Sequence, residues 1–268
     1  MIGRRVTAVL VVALACGGVS ACTAEESEPT VISIGVAAAP SLSGAFTELI
    51  GIFEQENPDV RVHLELGRSH TIAEGLADRT DINVFASASE QAMTLALEQG
   101  TVTDTQVFAR NHVVVAVPSG NPREVTGLAD LSRPDLRVGL CELEAPCGQA
   151  ADLLLGAAGV VTPDVDRDEG SRGLAARLAD NELDVGLVYR TDVASSNGWV
   201  TLADVDERDR ALIQATGMTR YVLARVPGGE DGPDAGAERA AAGAFRELVT
   251  SDRGRRALEN AGLDALPD

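Results

Sequence analysis

Val31 to Leu66 reads VISIGVAAAPSLSGAFTELIGIFEQENPDVRVHLEL, and this stretch decides the fold class. It opens with the β-branched and small apolar residues Val31 to Ala38, the composition of a strand buried in a parallel sheet. Pro40, Ser41 and Ser43 interrupt it. Ala45, Leu49, Ile52 and Phe53 then recur at helical spacing until Asn57-Pro58, where a helix must stop. Val60 to Leu66 is a second strand. Strand, helix and strand in that order predict an α/β sheet with right-handed crossovers.

The same alternation continues outward. Gly67-Arg68-Ser69-His70-Thr71 ends the second strand, and a helical run from Ile72 to Ala77 follows. Ile82 to Ala86 reads as a strand and Glu90 to Gln99 as a helix. Val113 to Val117 is a strong strand closed by Pro118-Ser119-Gly120-Asn121-Pro122, after which the pattern restarts. Leu136 to Cys141 and Val185 to Tyr189 read as strands, Gly148 to Ala158 and Arg172 to Ala179 as helices. Near the end, Tyr221 to Val226 is a strand, Gly228 to Gly236 a flexible acidic loop, and Ala240 to Val249 and Arg253 to Ala261 are helices. No short-period repeat is present. The organisation expected is two α/β lobes, one from residues 31–112 and 216–268, the other from 113–215.

Composition excludes several functions. With 268 residues, 45% of them hydrophobic, the chain can bury one or two real cores and is not a disordered or collagen-like polymer. Its 22 basic and 41 acidic residues leave a formal charge of −19, which argues against nucleic acid or an anionic membrane surface as the main partner. Every one of the basic residues is arginine, so a lysine-dependent phosphate loop or Schiff base is excluded. Aromatic residues make up 3%, too few for stacking platforms that bind bases.

The first 21 residues read as an export signal. Arg4 and Arg5 form a basic start, and Val6 to Ala15 is an apolar run too short for a stable membrane anchor. Val19-Ser20-Ala21-Cys22 resembles a bacterial lipobox, in which the cysteine is lipidated and becomes the new N-terminus. The alternative is an ordinary secretory peptide cut near Ala21. Residues 22–30 are polar and acidic, as a tether would be. Either reading places the mature protein outside the cytoplasm, and the lipobox anchors it to the outer face of the membrane through Cys22. Two thiols then remain, Cys141 and Cys147, and in an oxidising space a disulfide is expected, contributing roughly 2 kcal/mol for so short a loop. A metal site on these two cysteines is the alternative, without a nearby histidine to complete it. His63, His70 and His112 are scattered and read as surface or strand residues.

One arrangement recurs where chemistry could sit. A strand ends, a short turn bearing Ser or Gly follows, and a helix starts: at Ser41, at Ser69, at Pro146-Cys147-Gly148 and at Gly170-Ser171-Arg172. Helix N-termini present unpaired N–H groups and partial positive charge, and neighbouring serine hydroxyls add neutral donors, so each turn suits an anion. A serine before a helix is also an ordinary N-cap; four such turns, two per lobe, favour a shared pocket. No G-x-S-x-G, H-E-x-x-H, P-loop or G-x-G-x-x-G motif is present. Asp164, Asp166, Asp168 and Glu169 lack the glycine and closing glutamate of a calcium loop and read as a solvated acidic loop.

Several stretches carry a family resemblance. Ala38 to Ser43 resembles an A-A-S-L-T opening, and Asp81 to Ala88 (DINVFASA) resembles A-D-V-F-A-S-A. Val107 to Asn111 with the strand through Pro118 resembles F-A-R-N-x-L-V-L-V-V-P. Gly186 to Asp192 (GLVYRTD) is similar to G-I-V-Y-R-S-D, and Ser251 to Gly254 to S-P-E-G. Together, over roughly Val31 to Leu263, the chain resembles the periplasmic molybdate-binding proteins of ABC importers. The resemblance implies a type II periplasmic-binding-protein fold, with a ligand cleft between two α/β lobes. It implies a monomeric, non-enzymatic carrier without a cofactor, which binds molybdate or tungstate and delivers it to a membrane permease. Ser41 and Ser69 match the family's two oxyanion-binding serines. Cys147 and Ser171 fall where backbone N–H groups bind the anion, and Tyr189 matches a tyrosine whose hydroxyl donates to it. Arg68 stands where the family has a small residue, so it crowds the pocket, adds charge or points to solvent. Ser171 replaces a valine and offers an additional hydroxyl, while a Cys141–Cys147 bridge tethers one binding turn to the preceding strand.

Molybdate is a bare dianion near neutral pH and presents only acceptors, so neutral donors satisfy it. Hydrogen phosphate carries a proton that needs an acceptor, and none of the five positions is Asp or Glu. Local dipoles must outweigh the protein's overall negative charge, which salt screens beyond about 8 Å. Sulfate shares the ligand's charge and shape and is the leading alternative. A secreted serine hydrolase is the other, with Ser69 as nucleophile and His70 as its neighbouring base.

Overall fold

Strand β1 (Ile32–Ala38) is buried from Ile34 onward, as its apolar run requires. A single 3-10 turn, Pro40–Leu42, leads into α1 (Ser43–Glu56), which buries Ala45, Phe46, Leu49 and Phe53 on one face. β2 (Val60–Leu66), α2 (Ser69–Gly75), β3 (Val84–Ser87) and α3 (Glu90–Glu98) continue the alternation. Then come β4 (Thr103–Pro118), β5 (Val138–Cys141), α4 (Pro146–Ala158), β6 (Asp166–Asp168), α5 (Ser171–Ala179) and β7 (Val185–Tyr189). α6 (Arg190–Ser195), β8 (Val200–Leu202), α7 (Glu207–Thr216) and β9 (Met218–Arg225) follow. α8 (Ala235–Thr250), α9 (Asp252–Asn260) and β10 (Asp264–Ala265) end the chain. This computed structural model describes residues 31–230 and 234–266. The export signal, Cys22 and the tether lie outside the described residues.

The strands run in the order β2-β1-β3-β9-β4-β7-β5-β6, with β8 and β10 also paired to β4. β1, β2 and β3 are mutually parallel, as are β5, β6 and β7. The 16-residue β4 carries both halves. Its Thr103–His112 stretch pairs antiparallel with β9, and its Val113–Pro118 stretch with β7 and β8. The register with β9 ends at His112↔Met218, and the register with β7 begins at Val113↔Tyr189.

Two large clusters of buried apolar side chains form most of the core. Val113, Leu128, Leu131, Leu154, Leu174, Leu178 and Leu187 belong to one. Ile34, Phe46, Phe53, Phe108, Tyr221 and Phe245 belong to the other, where four phenylalanines and a tyrosine form a chain of ring contacts. The ring centroids lie 5.4–6.3 Å apart, mostly edge to face, which adds about 0.5–1.5 kcal/mol per pair beyond area burial. Tyr221 ends this chain, and its hydroxyl reaches the site described below.

Several sequence expectations need correction. α2 starts at Ser69, before the Ile72 expected, because Ser69 to Thr71 already have helical geometry. The strand at Val113–Val117 is the second part of β4. Within the acidic run, Asp166 to Asp168 pair with Gly139 to Cys141 as β6, so this part is an edge strand and not a solvated loop. In the expected 228–236 loop, Pro227–Glu230 forms a 3-10 turn and α8 already begins at Ala235.

Candidate functional site

Ser41, Ser69, Cys147, Ser171 and Tyr189 all line one cavity of about 580 Å³. Ser41 lies in the 3-10 turn after β1, and Ser69 is the first residue of α2. Cys147 is the second residue of α4, behind Pro146, and Ser171 the first of α5. Tyr189 ends β7 and precedes α6. The first N–H groups of a helix have no acceptor within it, and the turns at Ser69, Cys147 and Ser171 bring three helix N-termini to the lining of this cavity. The cavity far exceeds the ~30 Å³ share of one water, leaving room around a single five-atom oxyanion.

Each donor is held by local chemistry. The Ser69 hydroxyl oxygen accepts the Ala88 N–H at 3.0 Å, so its own hydrogen stays available. The Tyr189 hydroxyl lies 3.0 Å from Thr219 Oγ1, and Ser41 Oγ lies 2.6 Å from the Tyr221 hydroxyl. Burial pushes Tyr221 up to about 12 and Tyr189 well above the usual tyrosine value, so both phenols keep their hydrogens at neutral pH. The N-terminus of α4 is pressed against the end of β5: a Cβ on Gly148 would stand 1.9 Å from the Glu142 carbonyl oxygen, so only glycine allows this approach. The Cys141–Cys147 disulfide fastens the same two segments, whose Cα atoms are 5.8 Å apart.

Three further side chains shape the site. Arg68 reaches the opposite wall and pairs with Glu169; both are exposed, so the guanidinium bridges the rim and leaves the interior free. Arg172 crosses in the other direction, donating to the Pro40 carbonyl at 2.7 Å and to Ser43 Oγ at 3.3 Å. Asp192, in the first turn of α6, also lines the cavity and is buried, with Oδ2 lacking a hydrogen-bond partner. Burial pushes its carboxyl up, opposed by the Ser171 hydroxyl bonded to it and by the Arg172 charge. The extra hydroxyl expected from Ser171 is therefore engaged by Asp192.

His70 contributes nothing to a nucleophilic arrangement. Its Nε2 lies 3.4 Å from Glu74 Oε1 one turn along α2, while Ser69 Oγ is engaged by the Ala88 backbone. Among the described residues no group of His, Cys, Asp and Glu is placed to hold a metal ion, and no helix is long and apolar enough to cross a membrane.

Residues 34–264 match the model of a family described as bacterial extracellular solute-binding protein. The chain belongs to this family. A curated relative, the molybdate-binding protein ModA of Mycobacterium bovis, is 30% identical over 261 residues, covering 96% of this chain and 95% of its own. Among solved structures, the periplasmic molybdate-binding protein of Azotobacter vinelandii superposes with a TM-score of 0.69 at 16% identity. That match covers 88% of this chain and all of the other, 100%. The sulfate-binding protein SubI of Mycobacterium tuberculosis H37Rv gives a TM-score of 0.68 at 16% identity, covering 88% and 87%. These solute-binding proteins share the fold inferred from the sequence, and the family expected from its motifs is the one returned. Fold similarity does not separate the anions, because both neighbours fit equally well.

Proposed function

We propose that this protein is the extracytoplasmic solute-binding component of an ABC importer, capturing molybdate, and tungstate with it, in the cleft between its lobes. The observation that carries the reading is the convergence of Ser41, Ser69, Cys147, Ser171 and Tyr189 on one cavity. The kinship with ModA supports it. Each of the five offers a neutral N–H or O–H donor. A fully deprotonated tetrahedral oxyanion presents acceptors only, and charge-assisted hydrogen bonds to it are worth about 1.5–3 kcal/mol each. Neutral donors also leave no unpaired buried cation when the cleft is empty.

The lobe of residues 31–112 and 216–268 supplies Ser41 and Ser69 to the cavity, and the lobe of 113–215 supplies Cys147, Ser171 and Tyr189, so ligand capture closes the lobes about the crossing near His112 and Gly217. The space of about 580 Å³ leaves room for that closure. Export through the N-terminal signal and lipidation at Cys22 complete the reading, placing a monomeric, non-catalytic carrier beside its permease. Isothermal titration with molybdate, tungstate, sulfate and hydrogen phosphate tests it. Heat with the first two is expected, and its absence overturns the assignment; binding of sulfate alone reassigns the cleft to that anion.

A further inference from the structure

Arg68, which stands where the family resemblance implies a small residue, has a partner of its own. Its guanidinium pairs with the Glu169 carboxylate, and both residues line the cavity at its exposed edge, their side chains 59% and 76% accessible. Each stands on a fixed piece of backbone. Arg68 directly precedes Ser69; its carbonyl accepts the Ile72 N–H at 3.0 Å, and the Gly67 N–H before it donates to the Ala38 carbonyl at 3.0 Å. Glu169 follows β6, where Asp168 pairs with Cys141 and its carbonyl accepts the Glu142 N–H at 2.8 Å. Asp168 Oδ1 accepts the Gly170 N–H at 3.1 Å, and Ser171 opens α5 immediately after. The ion pair thus joins two anchored turns 101 residues apart in the chain, one carrying Ser69 and the other Ser171. A second crossing runs the other way, from Arg172 to the Pro40 carbonyl beside Ser41. Drawing the turns of Ser41 and Ser69 away from that of Ser171 breaks both contacts.

We propose that Arg68 and Glu169 form a strap across the mouth of the cavity and set how fast a bound anion leaves. This rests on the two-lobed oxyanion-binding reading above and deepens it, since Arg68 belongs to one of those lobes and Glu169 to the other. Neither side chain has to touch the ligand: departure requires the walls to part, and parting them costs the ion pair. An exposed ion pair is a weak tie, because water and salt compete for it, so the strap slows release without locking the cleft. Charge alone would act differently. Arg68 attracts a dianion and Glu169 repels it, so loss of the carboxylate would slow departure if the two residues worked only through their field.

The test measures release from the full protein loaded with radiolabelled molybdate, chased with excess unlabelled molybdate and followed by rapid filtration. Labelled sulfate takes its place if calorimetry shows sulfate alone to bind. Arg68→Ala, Glu169→Gln and the two together are compared with the unaltered protein. Both single variants are expected to release roughly two- to fivefold faster, although one removes a positive charge and the other a negative one. The double variant should release no faster than the faster single one, because either substitution already undoes the strap. Association should slow in Arg68→Ala and stay equal or rise in Glu169→Gln. Release that is unchanged or slower in either single variant, or that multiplies in the double one, overturns the strap and leaves the functional reading standing. Failure of the unaltered protein to bind any tetrahedral dianion overturns that reading and this inference with it.

Discussion

Removing the Cys141–Cys147 bridge should weaken the fold far more than the ligand site. The two cysteines are six residues apart, and closing so short a loop removes chain entropy from the unfolded state worth about 2 kcal/mol. For a domain of this size each kcal/mol moves the melting temperature by roughly 2–4 °C, so the loss should be roughly 4–8 °C. Both sulfurs are buried, so the double substitution Cys141→Ala, Cys147→Ala avoids placing new hydroxyls in the core. The backbone at the site stays anchored without the bridge: Ala145 N–H donates to the Glu142 carbonyl at 3.0 Å, and Gly148 keeps the close approach. Because position 147 would bind through its main-chain N–H, the substitution keeps that donor, and molybdate affinity should fall less than about tenfold. The assay is thermal unfolding followed by circular dichroism, with titration calorimetry on the same samples. Reduction of the native protein should reproduce the drop, separating the crosslink from the packing of the sulfur atoms. A double variant melting within about 1 °C of the oxidised protein would refute the entropic account. An affinity loss beyond about a hundredfold would refute the independence of the N–H donor.

Two further outcomes follow from particular contacts. Ser69→Ala deletes a proposed donor and also strands the Ala88 N–H, so molybdate Kd should rise roughly 10- to 150-fold, measured by calorimetry. The Asp184 carboxylate is held below the usual carboxylate range by its hydrogen bonds to the Arg137 guanidinium, with burial opposing. A depressed folded-state pKa stabilises above the unfolded value of about 3.9 and is lost as pH falls through the lower folded one. Asp184→Asn should therefore cost roughly 1–2 kcal/mol at neutral pH in denaturant titrations, and its gap from the unaltered protein should close below about pH 4.

The parallel-strand units were readable because their strands are continuous apolar runs, as in Ile34 to Ala38 or Val185 to Tyr189. The first part of β4 was not, because Thr103 to Gln106 are exposed and polar, Asp104 has a positive φ of 51°, and two register shifts break the alternation. α7 carries four charged residues among the ten of ERDRALIQAT and buries only Ile213, too little for a periodic signal. The five cavity positions could be named in advance, Ser41, Ser69, Cys147 and Ser171 because each sits at a strand-turn-helix junction and Tyr189 from the family resemblance. The layer behind them could not: Asn111 and Tyr221 are 110 residues apart and meet only through the β4–β9 pairing. Asn111 and Asp192 stand within quoted motifs, but their roles depend on burial, which a single sequence does not reveal. Arg68 was left with three possible directions, and only the position of Glu169 across the rim selects one.

The long strand that joins both halves of the sheet, Thr103–Pro118, has a consequence for how the molecule comes apart. Both halves pair with consecutive stretches of this one continuous strand, so melting should register as one calorimetric peak and not two. By the same logic, a polypeptide cut at this strand should yield two fragments that stay insoluble apart and recover structure only when refolded together.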